Sequence, residues 1–201
     1  MKKLVVVALF VALGGCATAI NRHNAENYHQ AGLQAEWNGD YELAERNFYR
    51  ALVNARSGNS PKAGISMAEY NLGRIKGYLC KHKEAEELLL DALKLEVEVT
   101  GPESGVTSKR LFELARLYYD QGKYDKAAQY YSRAIPIVKK LGVEKSDPIA
   151  LADAMDEYSV SLSKSGNKTK ASEVKSEASA LRKNNPGAKA KFVPTRYNTR
   201  C

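Results

Sequence analysis

Residues 111–134 read LFELARLYYDQGKYDKAAQYYSRA, two runs of helical apolar period split by Gln121-Gly122-Lys123. In the second run Ala127, Tyr131 and Ala134 place a bulky residue between two small ones. Spacings of four and three put these side chains on one face of a helix. The same signature recurs as Ala44, Phe48, Ala51, as Ala85, Leu89, Ala92 and as Ala171, Lys175, Ala178, with opening alanines 41, 42 and 44 residues apart. A fixed period of that size marks an array of helical repeats, so the fold class expected is all-α.

Each copy reads as a helix pair. Twelve residues before each opening alanine lies a second small residue: Gly32 after Ala31, Gly73 after Leu72, Ala115 after Leu114, Ser159 after Tyr158. Small side chains there let the first helix approach the second. Turn signals fall between the helices at Asn38-Gly39-Asp40, Gln121-Gly122-Lys123 and Ser165-Gly166-Asn167. A glycine there suits the left-handed end of a helix. In the second copy Cys80-Lys81-His82 stands in its place. Pro136, late in the second helix of the third copy, removes a backbone donor and is expected to kink or shorten that helix.

Leu111, Leu114, Ala115, Tyr118, Gly122, Tyr124, Ala127, Tyr131 and Ala134 together resemble the tetratricopeptide repeat. Its usual period is about 34 residues. The longer unit here, with Leu95 to Pro102 and Asn71-Leu72-Gly73 as ends and starts, resembles the kinesin-light-chain variety. The resemblance runs over residues 24–182 and implies a right-handed superhelix of about four antiparallel helix pairs, with repeats at about 24–57, 62–100, 104–141 and 147–182. The polar fourth copy, with Lys175 at the bulky position, has the character of a capping repeat.

At the start, Met1-Lys2-Lys3 precedes an apolar run from Leu4 to Leu13 and then Gly14-Gly15-Cys16. That run is too short to span a bilayer, which takes about 20 residues. A basic front, an apolar stretch and small residues have the form of a secretory signal. Leu13-Gly14-Gly15-Cys16 resembles the bacterial lipobox, which implies a signal over 1–15, acylation of Cys16 and a tether over 16–23. With Ala17 following the cysteine, the resemblance implies an outer-membrane anchor facing the periplasm, or the outer face of the single membrane in a Gram-positive cell.

The chain carries 31 Lys and Arg against 23 Asp and Glu. Two of the basic residues leave with the signal. Six more, Arg182, Lys183, Lys189, Lys191, Arg196 and Arg200, lie at the far end with no acid after Glu177, so residues 16–181 balance at 23 of each sign. A nucleic-acid site requires a basic stripe on the folded body, and none is expected. The end, residues 183–201, has Pro186, Gly187 and Pro194 and no helical period, and is expected to be disordered when alone. Two readings of it stand: a solvated end, or a basic segment that docks on anionic lipid, wall polymer or an acidic partner.

With Cys16 acylated, two cysteines are left. A Cys80–Cys201 disulfide, a small buried thiol at Cys80, and a free Cys201 thiol that joins two chains are all open. Catalytic patterns are missing. His23, His29 and His82 lack metal-pair spacing, and no P-loop, nucleophile elbow or dinucleotide fingerprint occurs. Asp153, Asp156 and Glu157 read as a solvated helix face. No enzyme, cofactor, metal or small-molecule substrate is expected.

A partner surface is expected where the first helices face the inside of the array. Its residues are His29, Leu33 and Trp37 in the first copy, Tyr70, Asn71, Arg74 and Tyr78 in the second, and Lys109, Phe112, Arg116 and Tyr119 in the third. Aromatic residues and arginines are the types that anchor interfaces. Asn71 and Lys109 match two members of the carboxylate clamp of some tetratricopeptide proteins, whereas His29, Leu33 and Glu113 depart from it. The expected partner is an extended or helical peptide of an envelope protein, held by a lipid-anchored adaptor. The alternative is a structural or regulatory wall-associated lipoprotein whose basic tail contacts polymer or lipid.

Overall fold

A computed structural model describes residues 2–197, with side chains from residue 17 onward. The side chains of the expected signal and of Cys16, and the chain end with Arg200 and Cys201, lie outside it. Among the described residues the chain is all-α. Its helices are α1 Lys2–Trp37, α2 Tyr41–Ser57, α3 Lys62–Tyr78, α4 His82–Thr100, α5 Gly105–Asp120, α6 Tyr124–Lys140, α7 Val143–Ser146, α8 Pro148–Lys164 and α9 Lys168–Asn184. They divide into two compact units, Met1–Leu95 and Glu96–Cys201.

In the first unit, α1 packs on α2 and α3 on α4. Ala44, Phe48 and Ala51 are buried, and Gly32 faces the Phe48 ring. One repeat on, Gly73 faces Leu89 in the same way, and Ser66 Oγ donates to the Ala92 carbonyl at 3.0 Å. Asp40 caps α2 by accepting from the Leu43 amide at 2.9 Å, which satisfies an otherwise orphaned helix donor. The α2–α3 seam carries ion pairs: Arg56 with Glu69 at 2.8 Å, and Glu45 with Lys76 at 2.8 Å and Lys81 at 2.7 Å. Burial pushes the Glu69 carboxyl up despite Arg56 beside it.

Two features of this unit differ from expectation. Residues 17–23, within the stretch 16–23 expected as a tether, continue α1, and Arg22 fastens them by donating to Gly58 O at 2.7 Å and Asn59 O at 2.9 Å. Cys80 takes the left-handed backbone (φ 63°) that Gly39, Gly122 and Gly166 adopt at 75°, 71° and 89° in the other copies. It is also disulfide-bonded and exposed. That sets aside the buried-thiol reading; the other two cysteines, Cys16 and Cys201, lie outside the described side chains.

In the second unit, α5 pairs with α6 and α8 with α9. Leu114, Ala115, Ala127 and Ala134 are fully buried, with Tyr131 nearly so between α5 and α8. At the fourth copy, Ser159 Oγ donates to the Ala171 carbonyl at 2.8 Å. Lys175, at the bulky position, instead reaches Asp156 at 2.9 Å. Pro136 does not end α6, which runs on to Lys140; late in a helix the lost donor costs one bond while packing by Ile137 and Val138 persists. The short α7, with Gly142 (φ 79°) before it, turns the chain toward α8. At its other edge, Arg110 and Glu96 form a buried ion pair at 3.3 Å, with side chains 2 % and 4 % exposed.

Candidate functional site

The residues expected to line a partner surface separate between the two units. In the first, Trp37 ends α1 and is 86 % exposed. On α3, the Arg74 guanidinium lies over the rings of Tyr70 at 5.4 Å and Tyr78 at 5.8 Å, and pairs with Glu36 of α1. Tyr78 also stacks obliquely on Tyr41 at 5.2 Å, and Asn71 is buried beside Arg74. His29 turns its edge to Phe48 at 5.8 Å, so it serves packing more than the surface; burial lowers its pKa against the pull of Glu26. Leu33 is exposed.

In the second unit, α5 and α8 both pack against α6. Phe112 packs toward Tyr131 at 6.1 Å, Tyr119 meets Tyr124 edge-on at 5.7 Å, and Arg116 is held by Glu113 one turn back at 2.8 Å. Lys109 is exposed. This face is covered by the protein's own end. The Lys191 and Phe192 amides donate to the Asp147 carboxylate at 3.1 Å, and the Phe192 ring lies 5.7 Å from the Arg116 guanidinium. Further along, Arg196 forks onto Asp120 and Glu157 and stacks over Tyr119 at 5.3 Å. Tyr197 is wholly buried: its amide donates to Asp120 at 2.8 Å and its hydroxyl to Glu113.

Residues 191–197 therefore form an extended strip from the start of α8 to the end of α5. The segment lacks helix, as its composition implies, but the expectation of a loose end gives way over these residues. Four acids supply the reason: Asp147 and Asp120 take main-chain amides, Asp120 with Glu157 takes the guanidinium, and Glu113 takes the phenol. Charge-assisted and forked bonds of this kind are the stronger sort. Glu157, read as part of a solvated face, also accepts from the Tyr131 hydroxyl. Burial, reinforced by Glu157, pushes the Tyr131 phenol well up and the Tyr119 phenol up. At Arg196 burial acts to lower the pKa, but Glu157 and Asp120 outweigh it and raise it.

Sequence reasoning named Phe112, Arg116 and Tyr119 on this face but missed Asp120, Asp147 and Glu157. The one available signal was the contrast between a tail without acids and the acids at the helix ends. The site offers capture of backbone amides, a pocket for a phenol and a fork for a guanidinium, which is recognition chemistry. Among the described residues no group of three or more His, Cys, Asp or Glu is placed to hold a metal, and no helix is long and apolar enough to cross a membrane.

Residues 64–140 match the tetratricopeptide repeat family. The chain is also similar in structure to BtubC (BKLC) from P. vanneervenii, with a TM-score of 0.73 at 21 % identity over 86 % of this chain and 70 % of that one. It is similar as well to kinesin-light-chain tetratricopeptide-like repeats of Podosopora anserina, with a TM-score of 0.65 at 17 % identity over 82 % of this chain and 77 % of that one. A comparison with curated proteins returns no match. The fold is thus the all-α fold of tetratricopeptide repeats, the long-repeat resemblance included. That fold typically serves as a non-enzymatic scaffold for protein–protein interaction.

Proposed function

We propose that this chain is a lipid-anchored interaction scaffold of the bacterial cell envelope that holds a peptide or helix of a partner along the faces of its first helices. The observation that carries it is the α5/α8 face, on which an extended segment is bound through backbone amides, a guanidinium and a phenol. Supporting residues in the first unit are Trp37, Tyr70 and Arg74, with Asn71 and Tyr78 buried; in the second they are Lys109, Phe112, Arg116 and Tyr119. The anchor is read from Leu13-Gly14-Gly15-Cys16, and an outer-membrane, periplasm-facing position follows from Ala17 by the same resemblance. The wall-contact alternative is weaker, because Arg196, one of the tail charges it relies on, is drawn onto acids of its own chain.

The test is crosslinking in native cells with mass spectrometry of bound proteins, comparing wild type with a Trp37→Ala, Tyr70→Ala double variant and with Cys16→Ser. A partner lost in the double variant, together with membrane association lost in Cys16→Ser, is the expected outcome. An unchanged partner set and unchanged fractionation overturn the reading.

A further inference from the structure

We propose that the α5/α8 face is a recognition site for an extended segment bearing an arginine followed by a tyrosine, that Arg196-Tyr197 is its resident occupant, and that a partner carrying the same pair displaces it. This deepens the scaffold reading above and rests on it. The site's selectivity follows from its parts. Glu113 and Asp120 sit seven residues apart on α5, two turns along one face, and together grip the ends of one residue: Asp120 its amide, Glu113 its hydroxyl. Only a phenol of that length satisfies both, and Tyr197 does so with no exposed surface. Phenylalanine would leave a buried carboxylate oxygen short of a donor, which costs more than an unmade surface bond.

The preceding position is specified by charge and shape. Asp120 from α5 and Glu157 from α8 receive separate nitrogens of one guanidinium, while the Tyr119 ring underlies it at 5.3 Å. Lysine offers a point charge and cannot match a two-carboxylate fork stacked on a ring. The contacts to Asp147 use backbone amides and accept any residue but proline at 191 and 192, and the Phe192 ring adds a looser, less selective contact 5.7 Å from the Arg116 guanidinium. The face thus reads two side chains and accepts the strand that carries them, the usual division in peptide recognition.

Occupation by the chain's own end makes the site conditional. Thirteen residues join the end of α9 at Asn184 to Tyr197. A short tether presents its tail at about millimolar effective concentration, and a site filled nine-tenths of the time shows an outside ligand an affinity about tenfold weaker. A partner must therefore compete, and one without the arginine–tyrosine pair does not gain entry.

The experiment uses the full chain and a fluorescein-labelled peptide spanning Gly187 to Tyr197, followed by anisotropy. The Arg196→Ala, Tyr197→Ala variant is expected to bind it one to one at least tenfold more tightly than wild type. Adding Asp120→Asn to that variant should weaken binding at least tenfold. A peptide with both alanines, which retains Lys189 and Lys191, should not bind. Equal binding to wild type and double variant, or binding indifferent to Asp120→Asn, overturns the proposal. Should circular dichroism show lost helix in the double variant, Arg196→Ala alone takes its place in the same two comparisons, since it leaves Tyr197 to fill its pocket. A wild-type dimer dissociated by the double substitution places the tail on a second copy and also overturns occupation in cis. A failed peptide assay beside a retained cellular partner overturns only this inference; peptide uptake beside an empty crosslinking result overturns only the scaffold reading.

Discussion

Gly32 lies so close to Phe48 that a Cβ on the glycine would stand 2.6 Å from the ring's Cε1 and 2.7 Å from Cδ1. No side chain fits there without moving the ring, which is itself fully buried. Gly32→Ala gains roughly 1 kcal/mol of helix propensity but overpacks the first pair, which costs typically about 1–3 kcal/mol. A lower thermal midpoint is expected, with recovery when Phe48→Leu is added. A midpoint at or above wild type contradicts the assigned contact.

The Arg110–Glu96 pair is buried on both sides. Removing one partner takes the counter-charge from a buried ion pair, so Arg110→Ala is expected to cost about 3–5 kcal/mol in denaturant unfolding. Replacing both, as Arg110→Met with Glu96→Leu, should come within about 1 kcal/mol of wild type because neither charge is then desolvated. Thr100, which donates to Glu96 Oε1 at 3.1 Å, keeps the Glu96 carbonyl as acceptor in the double variant. Single and double variants of equal stability would show that the pair is not the source of the loss.

Cys80 holds a backbone conformation that costs a residue with a Cβ about 1–2 kcal/mol. Glycine relieves that strain and returns part of the gain as chain entropy, about 0.5–1 kcal/mol. In reducing buffer, where the disulfide is open in wild type, Cys80→Gly should therefore unfold at a higher temperature. A lower midpoint in that buffer would mean the thiol contributes packing that outweighs the strain.

Glu45 provides a pH test. Burial acts to raise its pKa, but hydrogen bonds and charge from Lys76 and Lys81 prevail and lower it below the ordinary 4.5. The native carboxylate then binds its proton less readily than the unfolded one. Its contribution is complete above about pH 4.5 and is lost as the pH falls through the lower folded value. Glu45→Gln should be less stable than wild type at neutral pH, with the difference closing as the pH falls below about 4.5. A difference that persists at low pH would assign the effect to packing.

Much of this fold was legible because its deciding contacts are local. Ala127 and Ala134 lie two turns apart on one helix face, and Gly73 precedes the Leu89 it receives by sixteen positions; both follow from period alone. Cys80 was harder, since its left-handed turn is imposed by the repeat frame against the preference of the residue. The tail was not legible. Arg196 and Tyr197 meet Asp120 and Glu113 across 76 and 84 positions, and their local composition is that of a segment with too little apolar surface to fold. Glu157 was misread for the same reason: whether a helical acid faces water depends on what crosses its surface.

The hold that Arg22 keeps on Gly58 and Asn59 leaves little slack at the front of the molecule. Arg22 stands six positions after Cys16, about 9 Å along a helix and about 20 Å if fully drawn out. If Cys16 carries the acyl group proposed above, the first helix pair rides at the bilayer like a bracket rather than trailing on a leash, and its Trp37 end, at the far end of the same helix, reaches only partners that come within about 30 Å of the lipid.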